Sequence, residues 1–323
     1  MPSDVVGTLP KFDDPSVRLC GGFSVGGITV ELTGYRSADV ALIPPLEPFR
    51  VKTGASDISV QVEWVAGIAP SGDPRVFDSG SVWRLSKGKD FLQFDFNVPF
   101  LGEQPYKRLI VDNNFCRAEL KMNEQSFATL PSVPEPLEYP LDELLIMHRL
   151  TQERAIELHG VGIVGPDGAS NLFVGHSGAG KSTTARLWTS LHNVEILSDD
   201  RIIVREHPVR EHPLQEGNPR EDATQIYMYG TPWHGEAHFA LPQRAPLQRI
   251  FVLEHGYGNI LTRLTRSQMV AELLARAFVP FHRHEYVDSA LSFLERVADS
   301  VPCYHYSFEP DERAVEKVLH FRD

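Results

Sequence analysis

The sequence predicts a mixed α/β protein with two domains. A length of 323 residues is enough for two domains of about 150 residues each. Before residue 130, short segments alternate apolar and polar residues, which indicates strands. After residue 150, apolar runs alternate with helical patterns. With 42% apolar and 10% aromatic residues, the composition is typical of a globular protein with a sizeable core.

The N-terminal half is expected to form a twisted, mostly antiparallel sheet. Strand and turn signals cover residues 22–32, 58–64, 91–96, 108–111 and 116–122, and the first of these segments contains a Gly-Gly pair. Asp112-Asn113-Asn114 predicts a hairpin between the last two segments. A proline-rich stretch, 131–140, then breaks the pattern, and residues 141–158 have helical spacing with two acids in the first turn. We therefore expect a β-rich domain over 1–135, with a role in substrate or partner recognition, and a second domain over 136–323.

The second domain begins with two apolar strands around a tight turn. The strands are predicted at 156–164 and 172–174, with Gly165-Pro166-Asp167-Gly168 between them. A helix over 182–191 follows directly. The remaining predicted elements are strands at 194–197, 201–205, 227–229 and 250–253, helices at 267–277 and 288–298, and a closing strand and helix within 301–319.

Charge and composition exclude several classes of partner. The chain has 31 Lys and Arg against 43 Asp and Glu, for a net charge of −12. This balance argues against nucleic acid or an anionic membrane as the main partner, because both need clustered cationic charge. The first 14 residues hold prolines and acids, and no run of about 18 apolar residues exists, so we expect a cytoplasmic protein. Three distant cysteines predict neither disulfides nor a zinc site.

A glycine-rich loop between the predicted strand and helix carries the clearest chemical signal. Residues 175–182 read Gly-His-Ser-Gly-Ala-Gly-Lys-Ser, the phosphate-binding pattern. Glycines let several backbone N–H groups turn inward, and the helix dipole adds positive potential. Lys181 would reach the β- and γ-phosphates of ATP, and Ser182 would coordinate Mg²⁺. The predicted nucleotide-binding residues are Gly175, His176, Ser177, Gly178, Ala179, Gly180, Lys181, Ser182 and Thr183. The alternative, a glycine-rich turn without a ligand, fits the strand–loop–helix context less well.

Two further features belong beside this loop. Asp199 and Asp200 follow an apolar strand, and adjacent carboxylates repel unless a cation compensates them. One would hold Mg²⁺ while the other accepts a proton from an attacking hydroxyl; a solvated Asp-Asp turn is the alternative. His159 lies in a strand that forms a hairpin with the strand before the loop, so it is either a core histidine or a residue beside the γ-phosphate.

Two other groups of residues leave the choice between function and structure open. Residues 229–236, Tyr-Gly-Thr-Pro-Trp-His-Gly-Glu, suit a substrate-facing loop and, equally well, a structural turn under a packed tryptophan. Arg263, Arg266 and Arg276 are candidates for contacting phosphate, although a solvated helix face explains at least two of them better.

Residues 155–320 resemble the HPr kinase/phosphorylase family. The likeness rests on the His159-Gly160 pair, the short hairpin, the loop 175–182 and the Asp199-Asp200 pair, which occur in the family's order and at similar spacing. The resemblance implies a P-loop kinase core related in fold to phosphoenolpyruvate carboxykinase, which transfers phosphate from ATP to a serine hydroxyl. It implies Lys181 and His159 in the catalytic site, Asp199 as base, and Ser182 and Asp200 as metal ligands; the reverse assignment of the two aspartates stays open. Family members often form hexamers, so a homo-oligomer is an open expectation.

Two departures from the family pattern bear on the acceptor. Thr183 stands where the bifunctional members carry an acidic residue, and residues 229–236 stand where an Arg-Gly-Leu-Gly element is expected. Both argue against a phosphorylase activity and against HPr as substrate. The expectation is an ATP- and Mg²⁺-dependent kinase for a serine of another protein or peptide. The alternatives are a nucleotide-binding regulatory module without phosphotransfer and a kinase for a small molecule such as free serine.

Overall fold

A computed structural model describes residues 17–52, 54–128, 135–208 and 224–322. It is a mixed α/β structure with two sheets, and the chain divides into two compact units, residues 1–149 and 150–323. The helix that follows the proline-rich stretch lies in the first unit, whereas the sequence analysis placed it in the second domain. Residues 131–134 of that stretch lie outside the described residues.

The first unit is built on an eight-stranded sheet. Its strands are β1 (Leu19–Val25), β2 (Ile28–Gly34), β3 (Ile58–Val65), β4 (Arg75–Asp78), β5 (Trp83–Lys87), β6 (Phe91–Phe96), β7 (Lys107–Asp112) and β8 (Arg117–Asn123). The spatial order is β1-β2-β3-β8-β7-β6-β5-β4, and every neighbouring pair is antiparallel except β2–β3 and β3–β8. The predicted, mostly antiparallel sheet is therefore confirmed.

A glycine turn separates the first two strands of this unit. The alternating segment 22–32 is two strands, joined at Gly26 and Gly27, whose φ angles of 61° and 74° are reached most easily by glycine. Two helices follow the sheet, α1 (Glu124–Phe127) and α2 (Leu141–Leu150). The prediction of a helix over 141–158 is wrong beyond residue 150. The next strand is buried on both faces, and such a run is indistinguishable from a buried helix by periodicity alone.

The described residues of the second unit form ten strands and four helices. Its strands are β9 (Ala155–Val164), β10 (Ser170–Val174), β11 (Glu195–Ser198), β12 (Arg201–Pro208), β13 (Thr224–Gly230), β14 (Arg244–Pro246), β15 (Arg249–His255), β16 (Ile260–Arg263), β17 (Ala277–Phe278) and β18 (Cys303–Phe308). Its helices are α3 (Lys181–Trp188), α4 (Arg266–Leu274), α5 (His284–Ser300) and α6 (Glu312–Leu319).

Strand β9 organises the sheet of the second unit. The order is β14-β13-β12-β9-β10-β15-β18-β16, with β11 and β17 as further partners of β9. The first half of β9 pairs with β12 and β17, and its second half pairs with β10 and β11. Strands β10, β15 and β18 run parallel, so their carboxyl ends meet at one edge. The residue pair His159-Gly160 lies where β9 changes partners.

Helices cover both faces of this sheet. On one face, Leu172 and Val174 belong to a core with residues of α4 and α5, such as Leu273 and Leu294. On the other face, Phe173 packs in a second core with residues of α3 and α6, such as Trp188. Alternate residues of β10 therefore serve opposite cores, as the two-residue period of a strand requires. Among the described residues, none of the helices is long and apolar enough to cross a membrane.

Candidate active site

The glycine-rich loop lies between β10 and α3. Strand β10 ends at Val174, and α3 begins at Lys181, directly after the loop. Gly178 and Gly180 have φ angles of 80° and 98°, which side chains of L-residues rarely allow. A Cβ atom on Gly180 would also lie 2.4 Å from the ring of Phe308 in β18. The loop conformation therefore depends on glycine at these positions, as the motif predicts.

Lys181 folds back over the loop. Its ammonium group donates hydrogen bonds to the carbonyl oxygens of Gly175 and His176, both at 3.0 Å, and the residue is only 6% exposed. Burial lowers the pKa of Lys181 to about 8, while the nearby Asp200 carboxylate acts in the opposite direction. The side chain is thus a positively charged donor held at the loop, and its two carbonyl contacts can be exchanged for contacts with an anion.

His159 and Asp200 form a hydrogen-bonded pair beside the loop. Nε2 of His159 lies 2.8 Å from Oδ1 of Asp200, and neither side chain is fully buried. The backbone fixes both residues, because the N–H of Gly160 donates to the carbonyl of Asp200 at 3.0 Å. A Cβ on Gly160 would lie 2.9 Å from the carbonyl oxygen of Phe173, so the glycine permits the close approach of β9 and β10.

Arg201 braces the second oxygen of Asp200. Its guanidinium binds Oδ2 of Asp200, lies 3.4 Å from Oε1 of the fully buried Glu157, and stacks 4.0 Å from the ring centre of Phe278. Burial alone would raise the pKa of Asp200. The hydrogen bond from His159 and the charge of Arg201 nevertheless hold that pKa below its usual value. Asp200 is therefore ionised at neutral pH, and both of its oxygens are oriented.

Asp199 has entirely different surroundings. It is 1% exposed, and its carboxylate accepts three backbone hydrogen bonds from the segment 235–239: Gly235 N–H at 3.1 Å, Ala237 N–H at 2.8 Å and Phe239 N–H at 3.1 Å. Buried carboxylates are commonly satisfied in this way. Both oxygens are engaged, so the carboxylate anchors this segment rather than facing open space.

A cavity of about 410 Å³ lies over the loop. Of the predicted site residues, His159, Ser177, Gly178, Gly180, Lys181, Ser182, Thr183 and Asp200 line it, together with Arg186, Gly235, Glu236 and His255. Gly175, His176, Ala179 and Asp199 do not line the cavity. The structure thus brings the loop, the histidine and one of the two aspartates together, at the edge where the parallel strands end.

Four lining residues were missed or left open by the sequence analysis. Gly235 and Glu236 lie in the segment 229–236. Trp233 of this segment is packed in the interior, whereas Gly235 and Glu236 line the cavity. Arg186 lies one helical turn after Ser182 on α3, a spacing that places it on the same face. His255 ends β15, the parallel neighbour of β10, and its Nε2 lies 2.9 Å from the carbonyl oxygen of Gly178.

Arg276 lies beside the site, because its carbonyl oxygen accepts the N–H of His159 at 2.8 Å, whereas Arg263 and Arg266 make their contacts elsewhere. Arg266 forms ion pairs with Glu295 and Asp299, and Arg276 forms one with Glu272. Arg263 lines a different, smaller cavity. A solvated or structural role agrees with these contacts. The positive charge of Arg276 nevertheless helps to lower the pKa of Lys181, and the guanidinium groups of Arg186 and Arg201 lie at the site.

Candidate metal ligands are few among the described residues. Within the described parts of the chain, no group of three or more His, Cys, Asp and Glu side chains is arranged to hold a metal ion. Ser182 and Asp200 line the same cavity as the loop. This donor set suits Mg²⁺, which commonly takes one or two protein oxygens and completes its shell with phosphate and water.

Comparison of the chain with protein-family models and with curated protein sequences found no match.

Proposed function

We propose that the second unit is an ATP- and Mg²⁺-dependent kinase of the HPr-kinase-like type, which transfers the γ-phosphate to a hydroxyl group, that of a serine in a protein or peptide. The observation that carries the proposal is the common cavity of the glycine-rich loop, Lys181 and the His159–Asp200 pair. A phosphate site can bind one substrate, and an oriented histidine paired with an ionised carboxylate beside it suits the activation of the other.

The loop and Lys181 would bind the triphosphate. Inward-facing backbone N–H groups and the beginning of α3 favour an anion, and Lys181 would exchange its two carbonyl contacts for phosphate oxygens. Ser182 and Asp200 would hold Mg²⁺, which when bound neutralises charge on the β- and γ-phosphates. Arg201 would keep the Asp200 carboxylate in place for this task.

We assign the acceptance of the hydroxyl proton to His159 rather than to Asp199. Nε2 of His159 donates to Asp200, so Nδ1 carries the lone pair that can take a proton, and Asp200 stabilises the imidazolium that forms. Asp199 is 1% exposed, and three N–H donors occupy its oxygens. Within the proposed mechanism, Asp199 holds the segment 235–239 against the cavity.

The proposal is tested by incubating the full chain, ATP and Mg²⁺ with proteins and peptides from the producing cell, followed by phosphopeptide mass spectrometry. Phosphate on one specific serine supports the proposal. ATP binding without transfer to any protein, peptide or small hydroxyl compound would favour the regulatory module. Transfer only to free serine or a similar compound would identify a small-molecule kinase.

A further inference from the structure

The segment 231–239 has a fixed position beside Asp200. Thr231 donates a hydrogen bond to the carbonyl of Arg201 at 2.8 Å, and Asp199 accepts three backbone hydrogen bonds from residues 235, 237 and 239. The contact is close, since a Cβ on Gly235 would lie 2.9 Å from Oδ2 of Asp199 and 3.3 Å from Cβ of Asp200. The backbone that carries Glu236 is therefore held against the predicted reaction centre.

Charge is distributed unevenly around the cavity. Lys181 and Arg186 lie on the side of the loop and α3, whereas Glu236 lies on the side of the anchored segment. Asp200 is already bonded to His159 and Arg201. Among the described residues, neither Glu236 nor Arg186 forms an ion pair. Within the described part of the chain, the exposed Glu236 is thus a negative charge in the cavity lining without an ion-pair partner, on a different element from Lys181 and Arg186.

We propose that Glu236 selects the acceptor: it binds a cationic group, a Lys or Arg side chain or an amino terminus, next to the hydroxyl that receives the phosphate. This inference rests on the proposed function, because it names the acceptor of the same site. The nucleotide is anionic and has the cationic side of the cavity available, so an acceptor with a positive group is the ligand whose charge fits the remaining side. An acceptor with an acidic residue next to its hydroxyl would instead be repelled by Glu236, which would exclude such acceptors.

The test compares the full chain with two variants on a library of short peptides that contain one central serine and random flanking residues, read by mass spectrometry of the phosphorylated products. For the unaltered chain we expect Lys or Arg to be enriched at one flanking position, on the order of five- to tenfold over Asp or Glu. Glu236→Gln should remove this enrichment, and Glu236→Lys should reverse it. Glu316→Gln is the matched control, since Glu316 is an exposed glutamate of α6 outside the cavity.

The possible results separate the inference from the proposed function. Phosphorylated peptides without a basic preference, or with a preference that survives Glu236→Lys, overturn the inference alone. An unchanged preference combined with a higher Mg²⁺ requirement in Glu236→Gln also overturns it, because Glu236 would then be a metal ligand. If no peptide and no cellular protein is phosphorylated, the proposed function fails and the inference fails with it. Reversal by Glu236→Lys, with equal ATP affinity in all variants, supports both.

Discussion

Lys181 is the residue on which nucleotide binding depends most directly. After residue 150 the chain has only two lysines, Lys181 at the loop and Lys317 on α6. Because Lys181 is buried against the loop carbonyls, its removal takes the one ammonium group from the phosphate cavity without opening the hydrophobic core. We expect Lys181→Ala to lower the rate of phosphate transfer by at least about 100-fold while the melting temperature stays within a few degrees.

The control for this experiment is Lys317→Ala, which removes the exposed lysine of the same unit. Its activity should equal that of the unaltered chain. Transfer rates and thermal unfolding, measured side by side for both variants, separate a loss of catalysis from a loss of stability. Normal turnover by Lys181→Ala would show that the loop does not bind the reacting nucleotide.

The two aspartates are distinguished by their contacts, and their variants should differ accordingly. His159→Gln and Asp200→Asn remove members of the pair that faces the cavity, so we expect kcat to fall by about 10²- to 10⁴-fold with ATP affinity retained at least in His159→Gln. Asp199→Asn leaves that pair intact and weakens the anchor of residues 235–239. It should mainly raise the KM for the acceptor. Steady-state kinetics separate these effects, and a loss of kcat in Asp199→Asn as large as in His159→Gln, at unchanged KM, would return the role of base to Asp199.

At the scale of elements, Glu206 links β12 to helix α5. Its 5% exposed carboxylate binds Arg296 of α5, lies 3.2 Å from Nη1 of Arg154 and accepts a hydrogen bond from Thr224 at 2.6 Å. Burial alone would raise the pKa of Glu206, but the hydrogen bonds from Arg296, Thr224 and Arg154 lower it to about 2. The carboxylate is thus more easily ionised in the folded than in the unfolded chain, and its ionised form stabilises the fold.

Acid should therefore weaken the contribution of Glu206 to the stability of the fold. The stabilisation by Glu206 is fully present above its ordinary pKa of about 4.5 and is lost as the pH falls towards about 2. Because both guanidinium partners are well exposed, we expect Glu206→Gln to cost only about 1–2 kcal/mol at pH 7. Denaturant unfolding at pH 7, 4 and 2.5 should show this difference shrinking with acidity. Glu316→Gln removes an exposed glutamate that forms no ion pair with any described residue, so it should show no such trend.

Elements governed by local patterns were predictable, and those governed by long-range pairing were not. The loop 175–182 and the strands around it were recognised because glycine spacing and apolar runs are local signals. The end of α2 was missed because β9 is buried on both faces, so its first residues continue the apolar spacing of the helix. His255 reaches the site only through the parallel pairing of β10 and β15, which no local pattern reports. Equally, no sequence signal indicated that Asp199 would be enclosed by backbone N–H groups donated from residues 36 to 40 positions later.

At the scale of the whole molecule, the proposed chemistry belongs to one unit. The described residues that line the cavity lie between His159 and His255, and the buried residues described in the two cores of the second unit range from Ile156 to Val318. The first unit has its own sheet, and the sequence-based expectation gives it recognition of a substrate or partner. Catalysis and recognition would then be separable, since a domain with its own core can fold alone.

The second unit should fold and bind ATP without the first. A fragment of residues 150–323 keeps both cores and the whole loop, so we expect it to unfold cooperatively and to bind ATP with a Kd within about threefold of that of the full chain. If the first unit recognises the acceptor, the same fragment should phosphorylate short peptides but lose most of its activity on the intact acceptor protein. Calorimetric ATP titration and thermal unfolding check the first expectation, with Lys181→Ala in the same fragment as the control for specific binding. A fragment that folds and binds ATP but phosphorylates the intact acceptor as fast as the full chain would place recognition, too, within the second unit.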